Sequence, residues 1–137
     1  MKITAFIIII VLTALTAFAM QFDGSTQRLS ETLNVNPDAV TKISLSPPTE
    51  SNYNSTTDDD KIDEFIHYIE QLNYNKIRGN EPSYLPMTAS MIYLYENNQV
   101  DFIVSFEDKV MISQQVFEVK NGEISHTFIT DYYKSLD

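Results

Sequence analysis

Two histidines, one run of three aspartates and eight tyrosines are the residues of this 137-residue chain with chemistry to offer. His67 has Asp63 and Glu64 one helical turn before it and Gln71 one turn after. A metal there would need two or three further ligands from other parts of the chain. The other histidine, His126, is far away in sequence, and with Met87, Met91 and Met111 it would make a soft, copper-type donor set. Methionine on a sheet face usually serves packing, and that is the expectation for these three. Asp58-Asp59-Asp60 would attract a divalent cation only if their oxygens converged. Contiguous residues in a helix point about 100° apart. The spaced ligands, mid-loop glycine and distal glutamate of a calcium loop are not in this stretch. The expected role of the run is to complement the positive end of a helix dipole. No metal ligands and no cofactor are assigned.

Nucleophilic catalysis needs a nucleophile, a base and an orienting group. Serines are plentiful, but none sits in a G-x-S-x-G setting. The three glycines, Gly24, Gly79 and Gly122, are too far apart for a phosphate-cradling loop. No acid pair stands out for glycoside chemistry, and no catalytic residues are assigned. The tyrosines Tyr53, Tyr74, Tyr84, Tyr132 and Tyr133 fall in expected loops or at the chain end. Tyrosine supplies a large contact area with a polar tip, so these five are the candidate interaction residues; closing the edges of a small core is the competing role.

The elements that would position them follow an apolar leader. Met1 and Lys2 precede an apolar run over residues 3–19, ending Ala17-Phe18-Ala19. A basic residue, an apolar stretch and a small-x-small site are the order of a secretory signal peptide, with a cut before Met20. The alternative is an uncleaved anchor, since a bilayer span takes roughly 17–25 residues. Lys2 on the cytoplasmic side sends the rest of the chain outward in both cases. The expected location is extracellular, or the cell membrane with the domain outside. The membrane is then touched only through residues 3–19. With no cysteine, a lipoprotein anchor, disulfides, thiolate metal sites and cysteine nucleophiles are all excluded.

The chain is acidic, with a net charge of −10. Removing residues 1–19 takes away one of the 9 basic residues, Lys2, leaving 8 against 19 acids and a charge of −11. Such a chain is a poor ligand for nucleic acid and for anionic lipid.

Residues 20–38 are polar, with isolated Leu29, Leu33 and Val35, and read as a flexible linker. Residues 39–137 are then one small domain. Thr41-Lys42-Ile43-Ser44-Leu45 alternates as a strand, stopped by Pro47-Pro48. A polar loop over 50–57 contains the sequon Asn54-Ser55-Thr56. Ile62, Phe65, Ile66, Ile69 and Leu72 form one apolar helical stripe, capped by Thr57 or Asp58. Residues 73–86 are a long connection. Residues 87–106 read as a hairpin turning at Asn97-Asn98. That register sets Tyr95 opposite Val100, Tyr93 opposite Phe102 and Met91 opposite Val104 on one face, and Leu94 opposite Asp101 on the other. The helix stripe is expected on the Tyr93, Phe102 and Val104 face. Phe117 and Val119 differ in parity from Val110 and Ile112, so a bulge or break near Gln114-Gln115 is expected. Asn121-Gly122 predicts a second hairpin, with Val119 opposite Ile124 and Phe117 opposite His126. Residues 130–136 read as a short terminal helix. The fold class is α+β: one amphipathic helix packed on an antiparallel sheet of about five strands.

Val40-Thr41-Lys42-Ile43-Ser44-Leu45, Lys61-Ile62-Asp63-Glu64-Phe65-Ile66 and Ile92-Tyr93-Leu94-Tyr95, taken in order, resemble small exported domains of unknown function from Gram-positive bacteria. The resemblance covers residues 39–137 and rests on hydrophobic, structural motifs. It implies a domain outside the membrane and carries no activity or site residues with it. Many such domains are lipoproteins, and the missing cysteine removes that anchor here. The functional expectation is a non-catalytic extracellular or envelope binding module whose partner is a protein or envelope component. A small extracellular hydrolase with a site invisible in the sequence is the alternative.

Overall fold

The computed structural model describes residues 26–77, 87–106 and 108–136. The leader over 1–19 and the candidate Tyr84 lie outside them. In chain order the elements are helix α1 (Leu29–Thr32), a 3-10 turn (Pro37–Ala39), strands β1 (Lys42–Ser46) and β2 (Asn54–Thr56), helix α2 (Asp59–Glu70), strands β3 (Tyr74–Lys76), β4 (Ser90–Glu96), β5 (Gln99–Phe106), β6 (Lys109–Ile112) and β7 (Gln115–Val119), and helix α3 (His126–Lys134). The strands form one antiparallel-paired sheet in the order β2-β1-β4-β5-β6-β7-β3. The fold is α+β, and the sheet has 7 strands rather than about five. The two additions are three-residue strands at the edges. They were hidden in the polar loop over 50–57 and the connection over 73–86, where three residues are too few to show a period.

Helix α2 begins as its sequence dictates. The Asp58 carboxylate accepts from the Lys61 amide, and Asp59 and Asp60 fill the first turn. Ile62, Phe65, Ile66 and Ile69 are buried along one side. The β4–β5 register is the expected one, with Tyr95 opposite Val100, Tyr93 opposite Phe102, Met91 opposite Val104 and Leu94 opposite Asp101.

The face chosen by the helices is the reverse of the expectation. Phe65 and Ile69 share a core with Ile43, Leu45, Ile92, Leu94, Ile103, Val110, Ile112 and Phe117. Val104 instead centres a smaller cluster on the opposite face with Phe106, Val116, Met91, Phe102 and Met111. The helix stripe therefore packs on the Ile92, Leu94 and Ile103 face, called inner below.

Two further expectations are corrected, and the break expected near Gln114-Gln115 is found. The parity change before Phe117 comes from a turn there rather than a bulge. Ile112 pairs with Gln115 across Ser113 and Gln114, both at positive φ, and a two-residue turn changes parity by itself. Asn121-Gly122 makes no hairpin. Asn121 Oδ1 accepts from the Asn73 amide, its Nδ2 donates to the Gln71 carbonyl, and β3 occupies the edge of β7. The chain instead enters α3 four residues early, with Ser125 accepting from the Phe128 amide. Finally, residues 26–38 are part of the packed domain rather than a linker. Leu29, Val35 and Pro37 are buried, and Gln27 bridges to Tyr74.

Candidate functional site

The helices use the inner face, so the outer face of the sheet is where side chains are left over. β4 sends Met91, Tyr93 and Tyr95 outward, and β5 sends Val100, Phe102, Val104 and Phe106, as strand alternation requires. β1 contributes Lys42, Ser44 and Ser46, paired with Tyr95, Tyr93 and Met91. Val104 is fully buried beneath its neighbours, whereas Val100 is 55% exposed. Tyr53, 48% exposed, leans over this face with its ring centroid 5.7 Å from that of Tyr93. Lys42 Nζ lies 5.1 Å from the Tyr95 ring centroid, a cation–π contact. Burial and then Tyr93 raise the Tyr53 pKa above its ordinary value. The result is an aromatic patch with Lys42 at its margin.

The five candidate tyrosines do not come together on it. Tyr53 joins the patch. Tyr74, Tyr132 and Tyr133 are core residues, which corrects their expected place at the surface. Each hydroxyl is spent on a backbone carbonyl: Tyr74 on Ile69 at 2.8 Å, Tyr132 on Lys61 at 2.7 Å and Tyr133 on Asn52 at 3.2 Å. Tyr93 and Tyr95, which dominate the patch, lie on the face expected to meet the helix, so no sequence signal marks them as interaction residues. The half-buried Asn54 of the sequon donates through Nδ2 to the Tyr133 carbonyl, so its amide nitrogen is engaged within the fold.

Among the described residues, the two histidines line different hollows. His67 is exposed, with Nε2 2.8 Å from Gln71 Nε2, and borders an open cleft of about 530 Å³ with Asp38, Asp63 and Glu70. His126 opens α3 and lines a separate hollow of about 420 Å³ with Pro48, Thr49 and Thr88. Among the described residues, no three histidine, aspartate or glutamate side chains are arranged to hold a metal ion. Also among them, no helix is long and apolar enough to cross a membrane.

One polar cluster was missed entirely. Asp101 is 3% exposed on the inner face. Ser113 Oγ lies 2.6 and 2.5 Å from its two oxygens, and the amides of Asn34 and Phe102 donate to them at 2.7 and 2.9 Å. Four hydrogen-bond contacts satisfy this carboxylate, as burial demands. Its partners are a turn, its neighbour and the N-terminal segment, so it ties elements together.

No family model, curated protein or solved structure matches the chain.

Proposed function

We propose that this protein is a non-catalytic binding module acting outside the cytoplasmic membrane, and that the outer face of its sheet docks a protein partner. One observation carries the reading. The described helices all pack on the inner face, yet the opposite face is built from Met91, Tyr93, Tyr95, Val100, Phe102 and Tyr53. An aromatic patch with polar tips is the composition of interface centres. His67 and His126 line separate hollows, which gives the hydrolase alternative no comparable support. The apolar leader over 3–19 supports the location.

The test compares two variants as bait in envelope extract. Tyr93→Ser with Val100→Lys alters the outer face, while Glu64→Lys alters the helix side. A specific partner retained by wild type and by Glu64→Lys, but lost from the outer-face variant with its melting temperature preserved, is the expected result. A partner lost only with Glu64→Lys would move the interface to the helices. Turnover of a substrate by the purified domain would overturn the non-catalytic reading.

A further inference from the structure

Residues 26–40 are fastened differently from the rest of the fold. β4 and β5 exchange a continuous ladder over seven residue pairs. Among the described residues the N-terminal segment makes a single bridge, Gln27 with Tyr74, whose two amide-to-carbonyl bonds are each 2.9 Å. It then places two backbone amides on carboxylates: Asn34 on Asp101 at 2.7 Å and Asn36 on Glu96 at 2.8 Å. Leu29, Val35 and Pro37 are its buried anchors. At its C-terminal end the Thr41 amide bonds the Tyr95 carbonyl, and the chain becomes β1.

We propose that residues 26–40 form a strap that opens as one unit, with Asp101 as its keystone, and that opening bares the outer edge of β3. The polar fastening converges on one buried side chain. Asp101 is held from the sheet side by Ser113 and by its own neighbour Phe102, and its Oδ2, shared with Ser113, grips the Asn34 amide. Glu96 is the second grip, but that contact is exposed to water, which competes for it. Segments with few ladder bonds open locally below the global unfolding free energy. Opening would strip Tyr74 of both backbone partners on its outer side and vacate the slot filled by Leu29 and Val35. The strap therefore covers the β3 edge while closed and bares it when open.

Native-state hydrogen exchange of the purified protein tests this directly. Tyr74 is the reporter, because it belongs to β3 while its amide bonds the strap at Gln27. In wild type the amides of Gln27, Leu33, Asn34, Asn36 and Tyr74 are expected to share one opening reaction. They should exchange at least about 100-fold faster than the central amides of β4 and β5. Asp101→Asn should speed that group about tenfold or more and leave the central amides unchanged. Tyr74 exchanging with the central ladder in wild type would overturn the proposal, even if the variant failed to fold. So would a substitution that accelerates all amides equally, or one that leaves the strap unchanged.

Discussion

The Tyr74 hydroxyl donates to the Ile69 carbonyl across 2.8 Å, reaching from the first residue of β3 back into the last turn of α2. The final four carbonyls of a helix have no partner within it, so a buried one must find a donor elsewhere. Tyr74 is completely buried and supplies that donor. Tyr74→Phe keeps the ring and leaves the Ile69 carbonyl the longer bond from the Leu72 amide at 3.3 Å. The expected cost is about 0.5–1.5 kcal/mol, the net worth of one hydrogen bond, read as a lower urea midpoint with an unchanged slope.

The same burial predicts loss of stability in alkali. Desolvation comes first, then nearby carboxylates; together they push the hydroxyls of Tyr74 and Tyr132 well above the ordinary tyrosine value of 10.0. The folded state therefore holds these protons after the unfolded chain has released them. Their contribution is intact below about pH 10 and is lost as pH rises toward the higher folded values. Stability measured from pH 8 upward should fall beyond about pH 10, and the Tyr74→Phe, Tyr132→Phe double variant should fall less steeply. Parallel curves for the two proteins would show that other groups govern the alkaline limb.

Which face meets the helices was not legible in the sequence, although the hairpin register was. The turn at Asn97-Asn98 fixed the pairing, but both faces of β4 and β5 are apolar enough to serve as core. The outer face read as the more hydrophobic because Tyr93, Tyr95, Phe102 and Val104 align on it, while the inner face carries Ser90, Asp101 and Ser105. A buried aspartate was the misleading residue. Its burial depends on Ser113 and Asn34, and those partnerships exist only once the chain has folded. The three tyrosines misplaced at the surface have the same cause, since their acceptors are backbone carbonyls that no sequence pattern marks. The start and stripe of α2 were legible because capping and a 3.6-residue period are local.

The two faces should differ sharply under mutation. Ile69→Ala should cost about 2–5 kcal/mol, because Ile69 is fully buried in the main core with Phe65, Leu94 and Ile103. Phe102→Ala should cost less, because Phe102 is half-buried in the small outer cluster. Chemical denaturation of both variants gives the comparison. Equal losses would show that the outer cluster is as important to stability as the main core, leaving less of it free to bind a partner.

Export predicts a defined mass. Cleavage after Ala19 gives a chain starting at Met20, and intact-mass measurement of protein recovered outside the membrane should match residues 20–137. A membrane-bound product retaining 1–19 would establish the anchor. Recovery from the cytosol would remove both, together with the location proposed for the binding module.

The turn between β6 and β7 offers a stabilising substitution. Ser113 and Gln114 have φ values of 49° and 72°, in the left-handed region where a Cβ crowds the following carbonyl. Two-residue turns of this kind prefer glycine because it carries no such penalty. Ser113 cannot be exchanged freely, since its hydroxyl holds Asp101. Gln114 is exposed, so glycine there relieves the backbone at the cost only of a more flexible unfolded chain. Gln114→Gly is therefore expected to stabilise the protein by up to about 1 kcal/mol, and Gln114→Val to destabilise it. Urea midpoints ordered Gly above Gln above Val would match the geometry. The reverse order would mean that the β6–β7 turn adopts another conformation in solution, and with it that Ser113 does not grip Asp101.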